Sequence, residues 1–315
     1  MKKRLASKIL AGNILAAAKL MTEIENGAPE AVAELDTLYP YTGKAYIVGV
    51  TGPPGVGKST LVDAIVGILR KENMTVGVLA SDPTSPFTGG ALLGDRVRMQ
   101  KHSLDQGVFI RSLASRGWGG GLSKATISMI HIMDAMNRDV ILVETVGAGQ
   151  AETDITRVAD TSIVVLSPGA GDEIQMMKAG ILEAADILVI NKADKEGADN
   201  LQRELETMLG MKSYLPDEWR PNIILTEAIC DKGAKELVAI ILRHRDFLIS
   251  SGGLDKCRKQ RVKLELIEAT ESSIKDYIFQ QISKDDYFEQ LVDDLAQRRT
   301  SPHSAASKII SQFGK

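Results

Sequence analysis

The stretch that most constrains the fold is Gly52-Pro53-Pro54-Gly55-Val56-Gly57-Lys58-Ser59-Thr60. An apolar run, residues 45–51, precedes it, and a helical pattern from Leu61 to Leu69 follows. Strand, glycine loop and helix in that order form a cradle for a nucleoside triphosphate. The glycines let backbone N–H groups turn toward phosphate oxygens at the positive end of a helix. In this arrangement Lys58 reaches the β- and γ-phosphates, and the Ser59 hydroxyl is placed for Mg²⁺.

A loop of this kind needs a parallel sheet behind it, and the remaining pattern supplies one. Strand-like runs occur at 45–51, 75–80, 108–113, 139–144, 161–166, 187–191 and 222–225. Helical patterns separate most of them, at 58–71, 94–103, 122–137, 172–185, 197–210 and 232–249. Alternating strands and helices predict an α/β fold, a mainly parallel sheet with helices on both faces. Ligands then bind beyond the carboxyl ends of the strands, where every motif below falls. Ahead of the sheet, Leu5, Ile9, Leu10, Ile14, Leu15 and Leu20 recur near helical spacing, and a turn at Asn26-Gly27 leads to a second helix from Pro29. Past Ser250-Ser251-Gly252-Gly253 come a long charged helical pattern at 254–282, another at 285–298 and a short one at 304–313. The predicted domains are a helical N-terminal extension (1–40), the nucleotide domain (41–250) and a helical C-terminal arm (251–315).

Asn191-Lys192-Ala193-Asp194 follows the sixth run. The Asp194 carboxylate can accept both N–H groups of a guanine edge, which adenine lacks, and buried pairing of this kind selects strongly. Glu227, Ala228 and Ile229 follow the next run, with their backbone placed to contact the base oxygen. Glu144-Thr145-Val146-Gly147 ends the fourth run. Glu144 is placed for the metal shell or the attacking water, and the Gly147 N–H for the γ-phosphate. Gln150 could orient water, although its spacing does not secure that role. Asp82 ends the second run and is a candidate for the Mg²⁺ shell. Asp95 opens a helical pattern, and physics alone makes it as good a helix N-cap as a catalytic group.

Charge and composition exclude several classes. A net charge of −3 gives no basic field to attract nucleic acid or anionic lipid. No apolar run approaches bilayer length. The opening Met1-Lys2-Lys3-Arg4-Leu5 resembles a signal peptide or a mitochondrial presequence, but Lys8 and Asn13 interrupt its apolar region and the segment reads as a folded helix. The two cysteines, Cys230 and Cys257, lack metal-type spacing and suit a reducing compartment. The expected location is the cytoplasm, or the mitochondrial matrix in a eukaryote.

Together these motifs closely resemble the GTPase chaperones of cobalamin-dependent acyl-CoA mutases, the MeaB/MMAA (ArgK-like) group of P-loop GTPases. The resemblance rests on Gly52–Thr60, Asp82-Pro83, Gly94–Met99, Arg111-Ser112 with Arg116-Gly117, Glu144–Gln150, Gly169–Gln175 and Asn191–Asp194. It implies a P-loop GTPase that binds GTP/GDP and Mg²⁺, with Asp82, Asp95 and Glu144 as acidic switch residues. It also implies that residues 168–178 relay the nucleotide state to an adenosylcobalamin-dependent acyl-CoA mutase, and that the C-terminal helices make a homodimer. Arg96, Arg98, Arg111 and Arg116 are all candidates for an arginine finger. Two rivals are a kinase of a periplasmic amino-acid transport protein and a metallochaperone GTPase. The first would need a phosphoacceptor pocket and the second a Cys/His cluster; the cysteines and His102, His131, His244 and His303 are scattered.

Overall fold

The computed structural model describes residues 5–82, 100–102, 104–114, 124–145, 151–169, 182–282 and 286–313. Seven strands form one sheet: β1 (Tyr46–Thr51), β2 (Val76–Asp82), β3 (Val108–Ala114), β4 (Val140–Glu144), β5 (Thr161–Leu166), β6 (Ile187–Asn191) and β7 (Asn222–Thr226). Their order is β3-β2-β4-β1-β5-β6-β7, and every pairing is parallel. β1, β4, β5 and β6 are buried throughout. A sheet covered on both faces demands such continuous Val/Ile/Leu runs, rather than the alternation of a sheet wetted on one side.

Alternate residues of β1 feed two different cores. Val48 and Val50 pack with Leu61, Ile65 and Leu69 of helix α4 (Lys58–Lys71) and with Leu237 and Ile241 of helix Ala234–Ser250. Ile47 points into the opposite core with Ile141, Val143, Met129 and Met133. A third cluster joins Leu188 and Ile190 of β6 to Leu201, Leu205 and Leu209 of helix Ala198–Met211.

The N-terminal extension belongs to the second core. It comprises α1 (Leu5–Leu10), α2 (Ile14–Glu25) and α3 (Glu30–Leu38), and it buries Ile9, Ala17, Leu20 and Met21 there. The sequence pattern predicts continuous helix up to Asn26-Gly27, but the chain breaks earlier. Gly12 has a positive φ, and the Asn13 side chain caps α2 by accepting from the Ala16 N–H at 2.8 Å. From α3 the chain enters β1 under a clamp. Asp134, buried in helix α5 (Lys124–Ala135), accepts from the N–H groups of Gly43 at 2.6 Å, Ala45 at 3.0 Å and Lys44 at 3.2 Å. That carboxylate fixes the strand that delivers the glycine loop.

The chain divides into two compact units, Met1–Cys257 and Arg258–Lys315. The sheet, its helices and the N-terminal extension all lie in the first. The second holds most of helix Gly253–Ile282 and the helices Asp286–Ala296 and Pro302–Phe313, which pack on each other. Among the described residues, no helix is long and apolar enough to cross a membrane.

Candidate nucleotide site

The carboxyl ends of β1, β4, β6 and β7 gather most of the predicted site residues that the structure describes. β1 ends in the glycine loop, whose backbone only glycine tolerates at two points. Gly52 has φ +143°, and a Cβ there would stand 2.1 Å from the Val165 carbonyl oxygen of β5. Gly57 has φ +95°, and a Cβ would meet the Asn191 Nδ2 at 2.4 Å. Gly57 is also the N-cap of α4, with no side chain to cap the helix. The amino end of α4 therefore opens into the loop, an arrangement that favours an anion. Lys58 is buried, and its ammonium donates to the carbonyls of Gly52 at 2.7 Å and Pro53 at 2.9 Å. These contacts bend the cation back over the loop, where phosphate oxygens would compete for it. Val56 is fully buried, whereas Pro54 and Gly55 are exposed at the rim.

One residue further, the Ser59 hydroxyl donates to Glu144 Oε1 at 2.7 Å, with both residues buried. Glu144 is the last residue of β4, level with Val50 of β1 and Ala80 of β2. A hydroxyl and a carboxylate at this distance form a hard oxygen donor set, the kind Mg²⁺ takes together with phosphate oxygens and water. The extra methylene of glutamate relative to aspartate carries the carboxylate from the strand end to the first turn of α4. Thr60 lies in the same turn, half-buried.

Asn191 ties the phosphate loop to the base motif. It is buried, its Nδ2 donates to Val56 O at 2.8 Å, and its Oδ1 accepts from Thr226 Oγ1 and from the Ala228 N–H, both at 3.1 Å. Lys192, at φ +57°, donates from Nζ to Gly55 O at 2.6 Å. Asp194 stands exposed two residues on, and Ile229, also exposed, lies on the adjoining turn. The end of β6 and the turn after β7 thus form one edge beside the phosphate loop.

Two contributions escaped the sequence reading. Thr145 Oγ1 donates to Thr51 Oγ1 at 2.9 Å, and the Thr145 N–H to Val50 O at 3.1 Å. Together they fix the residue after Glu144 to the root of the loop. Threonine is too common in strands to signal this pairing. The second is Lys232, which pairs with Glu227. Asp95, Gly147 and Gln150 lie outside the described residues, as do residues 170–178 of the predicted relay at 168–178 and Arg96, Arg98 and Arg116. Asp82 ends β2 as expected, but its side chain is not among those described. Arg111 is turned to a structural use, pairing with Glu25 of α2 and donating to Thr22 Oγ1 at 3.2 Å.

Comparison with known proteins gives this geometry a family. Residues 17–283 match the family described as Methylmalonyl Co-A mutase-associated GTPase MeaB. A protein of Pyrococcus abyssi is 49% identical over 311 residues, covering 98% of this chain and 96% of that one. The GTPase ArgK of Escherichia coli is 34% identical over 94% of this chain and 91% of its own. The mouse protein named Methylmalonic aciduria type A homolog, mitochondrial, is 31% identical over 84% of this chain and 65% of its own. A crystal structure described as an LAO/AO transport system kinase superposes with a TM-score of 0.70 at 28% identity, covering 99% of this chain and 97% of that one. The glycine loop, the Ser59–Glu144 pair and the Asn191 tie are thus set in a P-loop GTPase, and the chain belongs to the MeaB/ArgK family.

Proposed function

We propose that this GTPase is a nucleotide-dependent chaperone that assists cofactor loading and protection of an adenosylcobalamin-dependent acyl-CoA mutase. The observation that carries the reading is the match of residues 17–283 to a family described by its association with methylmalonyl-CoA mutase. The likeness to the mouse protein named for methylmalonic aciduria supports it.

At the site, guanine is read by Asp194, with Lys192 and the backbone of Glu227, Ala228 and Ile229 completing the base edge. The backbone N–H groups of Gly55, Val56, Gly57 and Thr60 cradle the phosphates, and Gly52, Pro53 and Pro54, the last two without an N–H to donate, shape the loop around them. Lys58 exchanges its two loop carbonyls for β- and γ-phosphate oxygens, so its charge is already in place when negative charge shifts during bond cleavage. Ser59 and Glu144 would hold Mg²⁺, with Asp82 at the end of β2 and Asp95 beyond it as further acidic groups. Charge developing on the phosphates during cleavage would be offset by the metal these residues hold. Water attacks the γ-phosphorus, its proton leaves to solvent or phosphate, and the bond to the β-phosphate oxygen breaks. The Gly147 N–H, expected at the γ-phosphate from its spacing after Glu144, would couple that segment to the nucleotide state.

The second unit supports a homodimer. Val262, Leu266, Ile274 and Tyr277 of the long helix stand roughly half exposed or more. Apolar surface of this extent calls for a partner, and a two-fold pairing is the commonest arrangement.

The decisive experiment is steady-state GTP turnover with and without an adenosylcobalamin-dependent methylmalonyl-CoA mutase. The reading expects turnover to rise about tenfold or more with the mutase, since a partner that completes such a site accelerates hydrolysis. Unchanged turnover and no co-elution in either GTP or GDP would refute it. The name of the structural relative keeps a transport-protein kinase as the second reading. Transfer of labelled γ-phosphate to a protein instead of water would favour that.

A further inference from the structure

We propose that Lys232 is a positioning residue for the base-reading edge of the nucleotide site, acting through Glu227. This rests on the guanine-nucleotide reading of the site. The chain leaves β7 at Thr226 and returns within six residues, closed by a backbone bridge from the Glu227 N–H to Lys232 O at 3.0 Å. The Cys230 N–H donates to Glu227 O at 2.9 Å, and Asp231 takes a left-handed conformation. The turn then closes at Gly233, with φ +76°, where a Cβ would stand 2.1 Å from Leu225 O. Across its mouth the Lys232 ammonium pairs with the Glu227 carboxylate.

The placement of this clasp gives it a consequence. On its inner side the Ala228 N–H holds Asn191 Oδ1, the atom that also receives Thr226 Oγ1. The turn is therefore joined directly to the base motif. On its outer side the ammonium is held charged, first by the hydrogen bond and charge of Glu227 and only weakly by the more distant Asp194. Glu227 is thus neutralised beside the base edge, on the side of the turn where Asp194 carries a further negative charge. Removing the cation leaves Glu227 to repel Asp194 and an incoming polyphosphate, and unfastens the turn that presents Ala228 and Ile229. GTP and GDP share the base, so both should weaken alike, while chemistry at the γ-phosphate is untouched. An exposed ion pair with no such role would alter neither.

The test uses the full chain and measures GDP and GTP binding, then turnover at saturating GTP, for Lys232→Ala, Lys232→Arg, Glu227→Gln and the Glu227→Gln/Lys232→Ala double variant. Lys232→Ala and Glu227→Gln should each weaken both nucleotides about fivefold at low salt, the scale of a partly exposed pair. The maximal rate of Lys232→Ala should stay within about twofold, because only binding shared by ground and transition states is lost. The double variant should be no weaker than either single one, Lys232→Arg should retain affinity, and the effect should shrink at about 1 M salt. Unchanged affinity in the single variants, or fully additive losses in the double variant, would overturn the proposal. If the parent chain binds GDP no better than ADP, the guanine reading fails and takes this proposal with it. If the parent selects guanine and Lys232→Ala binds equally well, only this proposal fails.

Discussion

Replacing Asn191 with alanine tests whether one buried amide joins the phosphate loop to the base edge. The side chain is 2% exposed and makes three hydrogen bonds, two of them to backbone groups of the buried residues Val56 and Ala228. The Thr226 hydroxyl can rotate to another acceptor, but the Val56 carbonyl and the Ala228 N–H are fixed by the turns they belong to. Two orphaned buried groups at about 1–3 kcal/mol each predict a loss of about 2–6 kcal/mol. For a unit of this size that lowers the melting temperature by about 5–20 °C. Gly57 sharpens the test, because a Cβ there would lie 2.4 Å from the Asn191 amide nitrogen. Gly57→Ala should therefore cost less in the Asn191→Ala background than in the parent, by about 1 kcal/mol or more of coupling. Differential scanning fluorimetry of the four proteins, with and without GDP, measures both quantities. A melting temperature within about 2 °C of the parent for Asn191→Ala, or strictly additive losses, would refute the reasoning.

Two further outcomes follow from other parts of the chain. His244 is buried beside Thr161, whose Oγ1 lies 2.8 Å from Nδ1 and pairs with the Tyr46 hydroxyl; Asp186 Oδ1 is 3.6 Å from Nε2. Burial pushes the imidazole down to about 4 against the pull of Asp160, and holds Asp186 up at about 7 against the Ser162 N–H. The unfolded chain binds the histidine proton near pH 6.5, so His244 takes stability away as pH falls from there toward 4, while Asp186 contributes with the opposite sign over pH 7 to 4. The site-specific readout is the His244 ring resonance, which should not titrate between about pH 8 and 5; a midpoint near 6.5 would contradict its burial. For the second unit, light scattering at micromolar concentration should give a dimer for the full chain and a monomer after truncation at Ser250, and a monomeric full chain would refute the homodimer.

The parts legible in the sequence were those where a single residue type answers a local physical demand. All seven strands were readable because a doubly covered sheet needs uninterrupted apolar runs, and helix α4 was readable because the loop and the Leu61, Ile65 and Leu69 stripe agree. The Ser59–Glu144 contact was half visible. Each residue was a candidate, but their meeting depends on β1 and β4 being neighbours, which no local pattern states. The break at Gly12-Asn13 was missed because the apolar spacing runs through it, although an asparagine cap is a local signal. Asn191 was recognised as part of a motif, while its role as a tie depends on three partners far away in the sequence. Thr145 and Lys232 carried no signal, since a hydroxyl pair and an exposed ion pair are defined only by the turns that bring them together.

The central claim is that the loop after β1, with Lys58 over Gly52 O and Pro53 O, is where GTP is cleaved. Release of phosphate from GTP by the parent and by Lys58→Ala, in the presence of Mg²⁺, tests it most directly. The parent should release phosphate from GTP and not from ATP, and Lys58→Ala should lose about a hundredfold or more of that rate, the scale of one preorganised charge, with an unchanged circular dichroism spectrum. Turnover in a folded Lys58→Ala protein close to that of the parent would contradict the account.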